Sequence, residues 1–267
     1  MSNPIVTLTT DWGNPGFFAG KVKGRLYGSV EGVQVVDITH QMEPHNVLEA
    51  SFVVRHGCLG FPAGTVHLVD VASNPLEEEP FVVVKVRGQY FICANNGLPT
   101  LAFGDEVEEA VTLPLESGRI YNFAAYSLFC PAAIQLLRGT PMSELGSQTR
   151  QLRQRIPSTW VRQGDEYRIP IQYIDGFGNA YLGMTFREFV ELQQGRPFVM
   201  QVRDIRLNEV VRSYGQATVQ PRHMVNNGRE LCLTVSSTGL LELAINNSSF
   251  AQLFGLRANE MVLLEFR

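Results

Sequence analysis

Three observations predict an α/β N-terminal domain with a central, largely parallel sheet, followed by a smaller all-β, barrel-like C-terminal domain. The first half alternates β-branched runs with helical stretches, a polar arginine-rich segment interrupts the middle, and the last third is a succession of short strands separated by turn residues. With 267 residues the chain exceeds what one hydrophobic core comfortably fills. The expected division is residues 1–152, a linker at 153–166 and a second domain at 167–267.

In the first half, a strand over Ile5–Thr9 leads to a helix over about Phe17–Tyr27, a strand over Val33–Ile38, a helix over about Val47–Leu59 and a strand over Thr65–Val69. The second helix has a legible start, because Asn46 can accept from the backbone N–H of Glu49 three residues on. Phe81–Val86 and Gln89–Ala94 flank Arg87-Gly88 and predict a hairpin. Asn95-Asn96-Gly97 ends the second strand, since these residue types tolerate positive φ. Pro131 at a first turn and Gly139 past the end bracket a helix to Leu137.

Beyond the linker, strands are expected over Tyr167–Ile174, Phe198–Val202, Leu231–Val235, Leu240–Ile245 and Val262–Phe266. One helix interrupts them, opened by a Thr185/Glu188 capping box and closed by Gly195.

Composition excludes several classes. With 45% hydrophobic and 18% charged residues the chain is an ordinary globular protein rather than a disordered one. A formal charge of −4 supplies no basic face for nucleic acid, and the arginines at 150, 153, 155 and 162 read as a solvated segment. Cys58, Cys93, Cys130 and Cys232 form no C-x-x-C pair, which fits a reducing cytoplasm better than a disulfide framework. No run of 18 apolar residues occurs, so no membrane span is expected.

Strand ends are where an open α/β sheet holds its ligand, and Thr10-Asp11-Trp12-Gly13 follows the first strand directly. Asp11 there suits either the diol of a ribose or the cap of the next turn. Asp37-Ile38-Thr39-His40 brings a carboxylate and an imidazole together, but two groups are too few for a metal, and a locally bonded turn is the commoner use. Asp175-Gly176-Phe177-Gly178-Asn179 combines a cation acceptor, a ring and close backbone approach, or alternatively a tight turn. Ser236-Ser237-Thr238-Gly239 offers donors suited to a carboxylate, or a hairpin turn. No G-x-G-x-x-G, Walker loop, H-E-x-x-H or G-x-S-x-G is present.

Taken in order, Thr10-Asp11-Trp12-Gly13 with Gly20 and Gly24, Val36-Asp37-Ile38-Thr39-His40, Phe61-Pro62-x-Gly64-Thr65-Val66-His67, Asn95-Asn96-Gly97, Phe129-Cys130-Pro131-Ala132-Ala133, Asp175-x-Phe177-Gly178-Asn179 and Ser237-x-Gly239 resemble the SAM hydroxide adenosyltransferase family. The same family contains the S-adenosylmethionine (SAM)-dependent fluorinase and chlorinase. The resemblance implies a homotrimer that binds SAM or adenosine, needs no cofactor or metal, and forms its sites between one subunit's first domain and a neighbour's second. It implies Asp11 as acceptor for the ribose hydroxyls, with Trp12 beside it and His45 on the pocket wall. Asp175 then partners the methionine ammonium, Phe177 and Asn179 contact adenine, and Ser237 donates to the methionine carboxylate.

The family's hydrolases carry an aspartate and an arginine in V-D-P-G-V-G-T-x-R and a histidine in T-F-H-G-R-D-x-F-A-P. Ungapped from Gly64-Thr65-Val66-His67, those first two positions hold Ala72 and Glu79, and counting back from Pro131 puts Ala124 at the third. A two-residue shift would restore Asp70 to the aspartate position, but it requires an indel for which the sequence gives no reason, so all three positions lack the chemistry. Without the shift the chain keeps an adenosyl pocket but not the side chains that position and activate water. That leaves either SAM cleavage at C5′ by a non-standard site or an inactive adenosyl-binding sensor or structural trimer.

Overall fold

The computed structural model describes residues 3–13, 16–74, 80–216 and 231–267. The chain divides into two compact units, Met1–Pro157 and Ser158–Arg267.

The N-terminal unit contains strands β1 (Ile5–Thr10), β2 (Gln34–Thr39), β3 (Val66–Asp70), β4 (Phe81–Val86), β5 (Gln89–Ala94), β6 (Glu109–Thr112) and β7 (Ser147–Gln148). Its helices are α1 (Phe17–Tyr27), α2 (Val47–Cys58), α3 (Leu98–Phe103) and α4 (Cys130–Leu137). The strands form one sheet in the order β2-β1-β3-β5-β4-β6-β7. Pairings β2-β1, β1-β3 and β3-β5 are parallel, while β5-β4, β4-β6 and β6-β7 are antiparallel. The sheet is therefore mixed, and the largely parallel sheet expected from sequence is confined to its first four strands. The physical reason is the Arg87-Gly88 turn, both residues at positive φ, which reverses the chain between β4 and β5 where a crossover helix would have kept it parallel.

Strand side chains split between the two faces with the period-2 alternation of a sheet buried on both sides. Val66, Leu68, Phe81, Val83 and Ile92 meet Val22 and Leu26 of α1 and the apolar face of α4 in one core. Val69, Val82, Val84 and Phe91 meet α2 and α3 in the other. Placing α1 and α2 on opposite faces while β2 and β3 flank β1 creates a topological switch point between β1 and β3, the position at which such sheets open a crevice beyond their carboxyl ends.

The C-terminal unit contains β8 (Val161–Gln163), β9 (Glu166–Ile174), β10 (Ala180–Thr185), β11 (Phe198–Val202), β12 (Ile205–Leu207), β13 (Leu231–Val235), β14 (Leu240–Ile245) and β15 (Met261–Phe266), with helices α5 (Phe186–Gln193) and α6 (Phe250–Phe254). The sheet order is β12-β11-β15-β9-β10-β14-β13, antiparallel throughout, with β8 added to β9. β8 falls inside the segment expected as a linker. Just past β12, Val210 bridges to Leu233 of β13, and the Val211 N–H donates to the Leu233 carbonyl at 2.9 Å. The two ends of the sheet are thereby drawn together, so it curls nearly into a barrel around Ile169, Leu182, Met200, Leu233, Leu243 and Leu264. Among the described residues no helix is long and apolar enough to cross a membrane.

Candidate functional site

The carboxyl ends of the parallel strands β1, β2, β3 and β5 gather Asp11 and Trp12, His40, Asp70, and Asn95 and Asn96 along one edge of the N-terminal sheet. Thr10 and Asp70 are register partners, and the Asp11 N–H donates to the Asp70 carbonyl at 3.4 Å. Two carboxylates thus flank the β1/β3 switch point.

Asp11 is partly exposed and is already engaged. Its Oδ2 accepts the backbone N–H of His45 at 2.9 Å and that of Ala72 at 3.2 Å. Both donors have left-handed backbones, with φ of 64° at His45 and 49° at Ala72, a conformation disfavoured for residues that carry a Cβ. Both bonds fall on one oxygen, which leaves Oδ1 out of the turn. Both uses weighed from sequence for Asp11 are therefore compatible, because turn anchoring occupies only half of the carboxylate.

Asp70 is 6% exposed, and its Oδ2 accepts the indole N–H of Trp12 at 2.8 Å. Burial pushes its carboxyl up to about 6; the bonds from Trp12 and Ser73 oppose that rise, and the nearby Asp11 charge adds to it. Ala72 offers a methyl side chain and uses its backbone to hold Asp11. The side chain at this strand end with acid/base chemistry is therefore Asp70. Its signal in the sequence is a carboxylate immediately after a β-branched run, weak on its own. Glu79, with Glu77 and Glu78, lies outside the described residues.

Trp12 is packed on three sides. Its ring stacks on His40 at 5.6 Å with the planes 8° apart, and meets Phe123 edge-on at 5.3 Å and Phe18 at 6.0 Å. His40 Nδ1 bonds the Thr10 hydroxyl at 2.7 Å, while Nε2 lies 3.3 Å from an Asp37 oxygen without hydrogen-bond geometry. Asp37 itself pairs with Lys23 at 2.6 Å. Among the described residues no cluster of three metal-ligating side chains occurs. Ala124 is buried at the start of a π-helical turn, Ala125–Phe129, which leads into α4. Its neighbour Phe123 supplies an aromatic edge against Trp12.

Asn95 and Asn96 are buried and fully used. The Asn95 amide donates to the Gln151 carbonyl at 3.0 Å while its oxygen accepts the Arg153 N–H at 2.8 Å. Asn96 donates to the Val71 carbonyl at 3.2 Å and so braces the segment that follows Asp70.

In the C-terminal unit the loop between β9 and β10 is organised by Asp175. Its Oδ1 accepts the N–H groups of Phe177 and Asn179, each at 2.9 Å, and its Oδ2 takes the Asn179 amide at 3.2 Å and the Tyr181 hydroxyl at 3.4 Å. This Asx-type turn throws the Phe177 ring into solvent at 80% exposure, while Asn179 is buried. Gly178 has φ of 82°, and a Cβ there would collide with the Ser249 hydroxyl. Behind the loop the buried Glu242 accepts the Tyr214 hydroxyl at 2.6 Å, and burial raises its carboxyl above the ordinary range.

Ser237 is exposed in the Ser236–Gly239 turn, which is closed by the Gly239 N–H on the Ser236 carbonyl and by the Ser236 and Thr238 hydroxyls at 2.7 Å. Asp175, Phe177 and Asn179 share one loop, whereas Ser237 does not join them. The Asp175 loop opens at Ala180, which pairs with Leu243, and the Ser237 turn opens at Leu240, which pairs with Thr185. Those pairs lie three positions apart along β14, about 10 Å of strand.

Together these features define a two-unit protein in which an α/β unit presents paired strand-end carboxylates and a barrel-like unit presents an exposed ring on an Asx turn. The description "SAM hydroxide adenosyltransferase N-terminal domain" matches residues 6–146, and "SAM hydroxide adenosyltransferase C-terminal domain" matches residues 169–263. The chain belongs to the SAM hydroxide adenosyltransferase family. It is 25% identical to the (R)-S-adenosyl-L-methionine hydrolase of Salinispora tropica, over 95% of this chain and 94% of that one. It is 26% identical to the protein of the same name from Thermus thermophilus, over 94% and 96% of the two chains. An uncharacterized conserved protein from Thermotoga maritima shares the fold, with a TM-score of 0.83 at 24% identity over 97% of this chain and 99% of that one.

Proposed function

We propose that the chain cleaves SAM at the ribose C5′ to adenosine and L-methionine, with water as nucleophile and no cofactor. The observation that carries this reading is the buried Asp70 carboxyl beside Asp11 at the β1/β3 switch point. The water oxygen bonds to C5′ as the C5′–sulfur bond breaks, the sulfonium keeps that electron pair as the neutral thioether of methionine, and the water proton passes to Asp70. A sulfonium leaves readily, so the protein's task is to place water in line and accept its proton. A carboxyl raised to about 6 is mostly ionised at neutrality and more basic than an ordinary aspartate, which suits a general base.

In this reading Asp11 Oδ1 accepts the ribose hydroxyls, and His45 stands at the pocket wall, its backbone holding Asp11. Phe177 stacks on adenine with Asn179 beside it, Asp175 faces the methionine ammonium, and Ser237 donates to the methionine carboxylate. The barrel half-site of one copy completes the α/β half-site of another in a cytoplasmic homotrimer. The two hydrolase relatives, matched along nearly their whole length, support the reaction class.

Incubating the protein with SAM and following products by chromatography tests the proposal. Adenosine and methionine should appear in equal amounts, and Asp70→Asn should slow their release by about 10²–10⁴-fold, the usual loss on removing a general base. SAM binding detected by calorimetry with no methionine released would refute it.

A further inference from the structure

Trp12 is tied to Asp70 by its single polar side-chain atom, and its other side-chain contacts are between rings. Its indole N–H is spent on Asp70 Oδ2 at 2.8 Å, while its faces and edges are packed by His40, Phe18 and Phe123. An indole has one donor and no acceptor, so this orientation has one polar consequence: it fixes where the Asp70 carboxylate points. A phenyl ring at position 12 would fill much of the same space and remove the donor that holds Oδ2. Resting on the hydrolase reading above, we propose that Trp12 is a positioning residue, which clamps Asp70 through its indole N–H so that the carboxylate's second oxygen faces the attacking water.

The clamp is itself braced. His40, stacked flat on the indole, is held by the Thr10 hydroxyl at 2.7 Å, and Thr10 is the register partner of Asp70. The Trp12–Asp70 pair is therefore closed into a loop through β1, with the β2 end as its third side. Three further groups bear on Asp70: Asp11 from the end of β1, Ser73 just beyond β3, and Cys130 at the head of α4, whose thiol burial pushes up to about 12. The charge of Arg25 on α1 opposes that rise at Cys130. Ser73 is the one other donor to Asp70 among them, and the bond held on Oδ2 at 2.8 Å is that of Trp12.

The sequence contains two tryptophans, so a ¹⁵N-labelled sample gives two indole N–H cross-peaks, Trp12 assigned by its disappearance in Trp12→Phe. Across pH 4–8 the Trp12 peak should titrate with Asp70 and become pH-independent in Asp70→Asn. Trp160, bonded to Glu188 at 3.1 Å, serves as the internal comparison. A Trp12 peak that does not move, or whose movement survives in Asp70→Asn because it follows the stacked His40, overturns the inference. In turnover, Trp12→Phe should lower kcat about tenfold or more with KM little changed, the size of one lost hydrogen bond to a charged group. An unchanged kcat also overturns it. Failure of the wild-type protein to release methionine would instead sink the hydrolase reading, since the indole titration reads the clamp without turnover.

Discussion

In the proposed mechanism Asp70 trades stability for reactivity. Its folded carboxyl is raised from 3.8 to about 6, so the native state binds its proton more tightly than the unfolded chain does. That contribution is fully present below the unfolded value and is lost as pH rises through about 6, a penalty on the order of 2–3 kcal/mol at neutrality. Asparagine keeps an oxygen for the Trp12 N–H without the buried charge. Asp70→Asn should therefore be more stable than wild type by about 1–3 kcal/mol in urea at pH 7, with the difference gone by pH 4. His67 works in the opposite sense. Buried between the Thr7 hydroxyl at 2.7 Å and the Gln89 amide oxygen at 2.8 Å, it is pushed down to about 4 by burial, so it removes stability as pH falls from 6.5 toward 4. Asp11, Asp175 and Phe177 were legible because each sits in a short motif of unusual composition at an expected strand end or turn. Asp70 was harder to see, since a lone carboxylate after a strand has no pattern of its own, and only the register with Thr10 places it beside Asp11.

Strands that are mostly apolar fall where the sequence put them, as with Phe81–Val86, Phe198–Val202 and Leu240–Ile245. The elements that escaped have physical reasons. α3 is buried on every side, so Leu98–Phe103 lacks the polar stripe that marks a helix. β10 carries Gly183, which reads as a break, yet a Cβ there would stand 2.9 Å from Pro170 of β9. Helix α5 was legible because its Thr185/Glu188 capping box is written in the sequence and forms as expected. Gly178 sets the sharpest limit on the Asp175 loop. Gly178→Ala should lower unfolding free energy by about 2–4 kcal/mol, combining left-handed strain with the clash on Ser249, and the loss is measurable by denaturant titration. Gly176, whose added Cβ would meet nothing within 4 Å, is the control expected to tolerate alanine.

At the scale of the whole molecule, each unit has its own core: the sheet and helices of Met1–Pro157 enclose two apolar clusters, and the barrel of Ser158–Arg267 encloses another. Residues 158–267 expressed alone should accordingly unfold cooperatively, read as near-ultraviolet dichroism lost in a single transition. The proposed trimer predicts a light-scattering mass of about three times 29.8 kDa. A monomer would leave each half-site without its proposed complement. The alternation of strands and helices made the two-unit plan readable, and the hairpin at Arg87-Gly88 was legible too, whereas the insertion of that hairpin beside β3, which turns the sheet mixed, is information a local pattern does not carry.

One oxygen of Asp11 restrains two stretches of chain that are 27 positions apart, at His45 and Ala72, each in a backbone state it would not hold unaided. In the proposed reading the same side chain is rivet and receptor. Removing it with alanine should slacken both segments along with any grip on sugar, whereas asparagine, which still offers an oxygen to the two amides, should leave them seated. The gap between those two variants in hydrogen-exchange protection around residues 43–47 and 71–74 measures how much of this carboxylate belongs to the scaffold.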